Sequence, residues 1–182
     1  MHGKDLEKIL EYEIDCPSCR RKMRIEEYLY DMPMVGKVLI ASGTCSYCGY
    51  KFSDVRLAEP RKPRKIVYDV KKPGDENALV IRASTASIKI PELGVEITPG
   101  PASRGYITTI EGIILDVIEK TKFLCSSPDA PKENCERKIR ELEKARNVAK
   151  PFTIIIIDPE GVSAIISKKA QIIPLRSTEY IY

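Results

Sequence analysis

Two short runs, Cys16-Pro17-Ser18-Cys19 and Cys45-Ser46-Tyr47-Cys48-Gly49, constrain this chain more than anything else in it. Each C-x-x-C turn brings two sulfurs toward one ion. Two such turns supply the four thiolates of a tetrahedral zinc site, with no position left for water or substrate. Gly49, lacking a side chain, suits the tight turn just past the last ligand. Cys16, Cys19, Cys45 and Cys48 are therefore the expected ligands of one structural zinc ion. Residues 20–44 separate the pairs, somewhat more than the roughly 15–20 of a compact ribbon, so a longer β-excursion is expected between them. The competing reading is two unrelated redox or free-thiol pairs. A thioredoxin-like pair sits at the start of a helix, whereas Cys16 follows the strand-like Tyr12-Glu13-Ile14-Asp15 and precedes another extended stretch. Structural zinc is worth about 10–16 kcal/mol in finger peptides, against roughly 5–15 kcal/mol of net stability for a whole domain. Residues 12–56 are expected not to fold without it.

The remaining composition narrows the function classes. At 182 residues and 43% apolar, the chain suits one domain, or a small module plus a larger one with a real core. No apolar run approaches the ~18–20 residues of a membrane span, and no signal-peptide core follows Met1-His2-Gly3-Lys4-Asp5, so a cytoplasmic protein is expected. Six cysteines fit a reducing compartment if four hold zinc. Cys125 and Cys135 are then left over as free thiols or, under oxidation or in a hyperthermophile, as a disulfide. The net charge of +4 permits contact with nucleic acid or acidic proteins without demanding either. The single histidine, His2, leaves no catalytic triad, core histidine base or His-rich metal site. Glu92, Glu111 and Asp158 show no paired spacing, and no Gly-rich phosphate loop appears. The expectation is not an enzyme.

Along the chain, Leu6, Ile9 and Leu10 suggest a short helical turn. Met23 to Tyr30 and Val35 to Ala41 read as strands around an Asp31–Met34 turn, and Tyr47, Tyr50 and Phe52 are expected to pack on the metal turns. A zinc ribbon with an N-terminal extension thus spans 1–58, followed by a basic, proline-punctuated linker at 59–65 that carries Arg61, Lys62, Arg64 and Lys65. Prolines there extend the backbone and remove donors. From 66 to 182 short runs divided by turn residues indicate a β-domain: Ile66 to Val70, Leu79 to Ser84, Ser87 to Ile90 and Val95 to Thr98.

The period then changes. Ile110, Ile113, Ile114, Val117, Ile118 and Leu124 fall at helical spacing, and Thr108-Thr109-Ile110-Glu111 matches a capping box that starts a helix just after Thr108. A second helix from about Pro131 to Ala149 completes a hairpin over about 108–150. Phe152 to Ile157 reads as a central strand buried on both faces, Asp158-Pro159-Glu160-Gly161 as a turn, Ser163 to Ser167 as a return strand, and Gln171 to Leu175 and Glu179 to Tyr182 as the last two.

The two C-x-x-C pairs resemble the ZPR-type zinc-finger protein family when taken with Ile90-Pro91-Glu92-Leu93-Gly94, Thr108-Thr109-Ile110-Glu111-Gly112 and Asp158-Pro159-Glu160-Gly161-Val162-Ser163. The chain looks like the short, single-copy archaeal form of a eukaryotic protein carrying the unit twice. The resemblance implies a fold that is mainly β with a helical-hairpin insertion: a four-cysteine zinc ribbon joined to a double-stranded β-helix-like domain. It also implies a non-enzymatic binding partner or folding chaperone of translation elongation factor one-alpha. Candidate partner-facing residues are Arg82, Glu92, Thr108, Thr109, Glu111 and Asp158. Their competing readings are structural: a helix cap for the threonines and Glu111, a strand end around Glu92, a turn for Asp158. The chain departs from the family at Arg82-Ala83-Ser84-Thr85-Ala86-Ser87, at Ala78 and at Val162, where the family more often has a carboxylate, a basic residue and an asparagine. The alternative function is a nucleic-acid-binding ribbon, on the strength of Arg20-Arg21-Lys22 and Arg24 beside the metal.

Overall fold

The computed structural model describes residues 6–32, 36–59 and 62–175. The chain begins as an antiparallel meander, β1 (Glu7–Asp15), β2 (Lys22–Met32), β3 (Gly36–Thr44) and β4 (Lys51–Leu57), hydrogen-bonded in that order. The helical turn expected through Leu6, Ile9 and Leu10 is not formed. Glu7–Asp15 is a strand laid along β2, with Asp15 opposite Lys22 and Glu7 opposite Leu29. A lone turn must bear the whole cost of helix nucleation, whereas β2 offers a ready ladder. The register slips between Lys8 and Leu10, a β-bulge that twists this outer strand. The expected turn at Asp31 also moves. β2 runs on through Met32, and residues 33–35 lie outside the described residues.

The rest of the chain supplies β5 (Arg64–Val70), β6 (Leu79–Arg82), β7 (Ser87–Ile90), β8 (Val95–Ile97) and β9 (Tyr106–Thr109), then helices α1 (Ile110–Cys125) and α2 (Lys132–Arg146), and finally β10 (Phe152–Asp158), β11 (Ala164–Ile166) and β12 (Gln171–Pro174). These strands form a five-stranded sheet, β12-β5-β10-β7-β8, and a three-stranded sheet, β11-β6-β9. The helical hairpin interrupts the β-body between β9 and β10, as the change of period predicts. Cys125 and Cys135 are bonded across its loop, which resolves the choice between free thiols and a disulfide.

Two strand expectations need correction. β10 is central, pairing with β5 on one side and β7 on the other, but only one of its faces is fully buried. Phe152, Ile154, Ile156 and Asp158 face inward, while Thr153, Ile155 and Ile157 are half-buried. An antiparallel strand needs only one face in the core, so the continuous β-branched run overstated its burial. β11 does not return along β10. It crosses to the other sheet and pairs with β6, Ile165 opposite Val80. The strand expected at Glu179–Tyr182 lies outside the described residues.

The core explains why the ribbon is not an independent module. Side chains alternate along β6: Val80 joins Ile66, Ile88, Ile154, Ile114 and Leu142 in the core of the body. Ile81 turns the other way, to Met32, Val38 and Val55 of the ribbon and Ala164 of β11. The three-stranded sheet is thus sandwiched between body and ribbon, and fully burying side chains such as Val38 and Ile81 contributes about 1.5–3 kcal/mol each. The basic run ahead of the body is not all solvated linker. Arg64 and Lys65 open β5, and Arg64, 9% exposed, donates from Nη2 to the Ser163 carbonyl at 2.6 Å.

Gly105 sets the spacing between ribbon and body. A Cβ on it would lie 2.6 Å from the Val55 carbonyl oxygen and 2.9 Å from the Val55 nitrogen, and its own N–H donates to Asp54 Oδ1 at 3.0 Å. Because the obstructing atoms are backbone, Gly105→Ala is expected to destabilise the chain by about 1–3 kcal/mol. A lowered denaturation midpoint at unchanged zinc content would show this, and a melting curve like that of the wild type would refute the close approach.

Candidate metal centre

The same loop is used twice at one end of the ribbon. Between β1 and β2, Cys16 N–H donates to the Arg21 carbonyl and Arg20 N–H to the Cys16 carbonyl, both at 2.8 Å. Between β3 and β4, Cys45 N–H donates to the Tyr50 carbonyl at 2.8 Å and Gly49 N–H to the Cys45 carbonyl at 2.9 Å. In each knuckle the fifth residue has left-handed backbone, Gly49 at φ 73° and Arg20 at φ 63°. Glycine takes that conformation freely, whereas a side chain there costs roughly 1–2 kcal/mol. Part of that gain is cancelled by the greater freedom of glycine in the unfolded chain. Arg20→Gly is therefore expected to stabilise the ribbon by about 0.5–1 kcal/mol, read as a raised melting temperature at saturating zinc. No rise, or a fall, would refute it.

The knuckles bring the four predicted thiols together, all sulfurs lying within 4.8 Å of one another. Cys16 Sγ is 3.6 Å from Cys48 Sγ, and Cys19 Sγ is 3.6 Å from Cys45 Sγ. A tetrahedral ion with zinc–sulfur bonds of about 2.3 Å separates its ligands by about 3.8 Å, so the four sulfurs fit a single zinc. Backbone amides already favour a thiolate at one corner. The N–H groups of Tyr47 and Cys48, the former dominant, bring Cys45 down to about 6 against the cost of burial. Cys19 receives a backbone hydrogen bond at Arg21, yet burial and its hydrogen bonds with the neighbouring cysteines push it up to about 12. Burial likewise raises Cys48. Four thiolates in one place thus require a cation.

Cys16 and Cys45 are buried on Met23, Ile25 and Ala41, with Tyr12, Ile14, Tyr50 and Phe52 packed around them. Tyr50 and Phe52 behave as expected. Tyr47 does not: it is 61% exposed and lies beneath the Arg21 guanidinium, 4.6 Å from the ring centre. Sequence reasoning missed Arg104, whose guanidinium sits 5.0 Å from the centres of both the Tyr50 and Phe52 rings. No local signal marks it, because it comes from the loop before β9.

The partner-facing candidates are not gathered into one site, and most have structural duties. Arg82 is 3% exposed and donates from Nη1 to Ser103 Oγ at 3.2 Å and to the Arg104 carbonyl at 3.3 Å, holding the loop that carries Arg104. Glu92 is exposed, and its Oε2 accepts from Thr153 N–H at 3.1 Å at the start of β10. Burial works against its ionisation, but backbone hydrogen bonds at Glu92 and Thr153 prevail and lower its pKa. The helix cap is Thr109 rather than Thr108: Thr109 Oγ1 accepts from Gly112 N–H at 3.0 Å. Pairing of Leu79 with Thr109 keeps the backbone extended one residue longer than the capping box implied. Thr108 instead packs against Gly112, where a Cβ would fall 2.3 Å from its Oγ1. Glu111 is not a capping residue. Its Oε1 accepts from Arg146 Nε at 3.0 Å and ties α1 to α2. Asp158 is fully buried and accepts from the backbone N–H groups of Glu160 at 2.9 Å, Gly161 at 3.0 Å and Ser163.

Comparison with known proteins agrees with this layout. Residues 8–63 match the ZPR1 zinc-finger domain and residues 74–181 the ZPR1 jelly-roll domain. A ZPR1-like protein of Methanocaldococcus jannaschii is 36% identical over 159 residues, covering 85% of this chain and 80% of the relative. One from Pyrococcus horikoshii is 33% identical over 183 residues, covering 93% and 80%. The zinc finger chaperone zpr1 of Schizosaccharomyces pombe is 32% identical over 163 residues, which is 85% of this chain but 35% of that longer protein. The four-thiol knuckle pair and the two-sheet body with its helical insertion are thus those of a known lineage, and the chain belongs to the ZPR1 family of zinc-finger proteins.

Proposed function

We propose that this chain is a protein-binding module stapled by one zinc ion. In this reading it serves as a partner or folding chaperone of translation elongation factor one-alpha in the cytoplasm, and performs no chemistry of its own. The observation that carries the reading is apolar surface left open in several places. Leu6, just before β1, and Ile9 and Leu10 on it are 53%, 45% and 51% exposed, Phe123 and Leu124 at the end of α1 are 78% and 71% exposed, and Ile172 and Ile173 on β12 are 59% and 43% exposed. Clustered apolar side chains in water mark surfaces made to be covered. A four-thiol site supports the same reading, since it offers an ion no open position for substrate. So does the name of the S. pombe relative, a zinc finger chaperone. Among the described residues no helix is long and apolar enough to cross a membrane.

The test is retention of purified elongation factor one-alpha on the immobilised, zinc-loaded chain, with GDP and with a non-hydrolysable GTP analogue. Retention in either state supports the reading, and failure in both overturns it. The nucleic-acid alternative rests on Arg20-Arg21-Lys22 and Arg24 at the first knuckle. Two of these cations are already neutralised, Lys22 by Asp15 at 2.7 Å and Arg24 by Glu11. Binding to RNA or DNA that weakens steeply between about 50 and 200 mM salt would favour the alternative.

A further inference from the structure

The second knuckle carries an aromatic ring on each flank, and each is covered by an arginine from elsewhere in the chain. Tyr47 lies under Arg21 of the first knuckle. Tyr50, with Phe52, lies under Arg104 of the body. Arg104 Nη1 also donates to the Lys51 carbonyl at 3.2 Å, which fixes the guanidinium beside the metal turns. Arg20, Arg21 and Lys51 are exposed and Arg104 is half-buried. Among the described residues none of these four cations makes a salt bridge, although Lys22 and Arg24 in the same stretch do. Salt bridges are otherwise common in this chain: they join the ribbon strands, the two helices and the body. Four cations without a salt bridge thus lie at the zinc end of the ribbon, two of them held over aromatic rings of the second knuckle.

We propose that the zinc end of the ribbon, completed by Arg104, is a docking surface for an acidic segment of a partner protein. A guanidinium held over a ring keeps its in-plane N–H groups available, apart from the one that Arg104 Nη1 gives to the Lys51 carbonyl, and the remaining ones match a carboxylate bidentately. Two such groups flank the knuckle, and Arg20 and Lys51 add charge beside them. The geometry favours carboxylates over a phosphate backbone because the faces of Tyr47, Tyr50 and Phe52 toward these cations are occupied by guanidinium groups, which removes the platforms that single-stranded bases stack on. Because Arg104 belongs to the body, the surface exists only while ribbon and body are docked.

This inference rests on the protein-binding reading and names the chemistry of the surface that the partner would present. The probe is a fluorescein-labelled octapeptide of alternating acidic pairs and leucine, compared by anisotropy with an oligothymidylate of the same length on the full zinc-loaded chain at low salt. The peptide is expected to bind more tightly than the oligonucleotide. Arg21→Gln and Arg104→Gln are each expected to weaken peptide binding about tenfold, and Lys51→Gln, which touches only an exposed side chain, about threefold. Lys120→Gln, on α1, is expected to leave it unchanged. Zinc content and melting temperature of each variant separate lost contacts from lost folding. Tighter binding of the oligonucleotide, no peptide binding, or wild-type binding by Arg21→Gln, Arg104→Gln and Lys51→Gln would each overturn the proposal. If those variants still retain elongation factor one-alpha and bind the peptide normally, the docking surface is wrong while the protein-binding reading stands. If the wild type fails to retain the factor but binds the peptide as described, the choice of partner is wrong and the surface stands.

Discussion

Exhaustive chelation is expected to unfold the zinc end of the ribbon while the body keeps its helices. Helical circular dichroism should persist, the ribbon amides should exchange rapidly with solvent, and metal analysis of the native chain should find one zinc per chain. The magnitude follows from the small size of what the ion holds. The cluster beneath the knuckles contains Met23, Ile25 and Ala41 with a few half-buried aromatics, whereas structural zinc contributes about 10–16 kcal/mol. Acid should act as a chelator does. Cys19 and Cys48 hold protons more tightly than an ordinary thiol when no metal is bound, so loading the site near neutral pH must displace at least those two. Apparent zinc affinity is then expected to rise by at least about a hundredfold for each pH unit gained and to fall as steeply on acidification. A ribbon that stays protected after chelation, or an affinity flat between about pH 6 and 8, would remove the ion from the folding account.

Asp158→Ala is expected to destabilise the body by about 3–5 kcal/mol and to lower its melting temperature by roughly 10 °C. The carboxylate is fully buried at the crossing from β10 to β11. Removing it strands the buried N–H groups of Gly161 and Ser163, each costing about 1–3 kcal/mol without a partner, and leaves the partly exposed N–H of Glu160 to water. The damage spreads because Ser163 is itself a hub: its Oγ accepts from Ala83 N–H at 2.9 Å and its carbonyl from Arg64. Three strands meet there. Were Asp158 instead a partner contact on the surface, the alanine variant would melt like the wild type and lose only binding. That outcome would overturn the structural assignment.

The contrast between residue types shows what was legible in advance. The zinc ligands could be read because both members of each pair are local and the chemistry of the ion dictates their spacing. The helices could be read because a stripe recurs every three to four residues: Ile110, Ile113, Ile114 and Ile118 are buried and Val117 is partly buried, although Leu124 at the helix end, assigned to the same stripe, is 71% exposed. The blocks around Glu92, Thr108 and Asp158 were conspicuous without revealing why. Glu92 anchors β10, Thr108 packs on Gly112 and Asp158 ties a crossover, each through a partner on another element or on backbone. The helical turn proposed for Leu6–Leu10 failed for a related reason: the spacing was correct, but β2, not local propensity, decided the conformation.

What the amino-acid order determined by itself was therefore whatever is closed within a short span: two metal knuckles, a helical hairpin, a series of strands and their family likeness. Only the tertiary structure decided that the ribbon docks on β6 through Ile81, that Arg64 is buried rather than solvated, and that Arg104 lies over Tyr50 and Phe52 at the zinc end. Those outcomes depend on which faces meet across distant parts of the chain. A side chain's exposure and its partners are properties of that meeting, and no local periodicity encodes them.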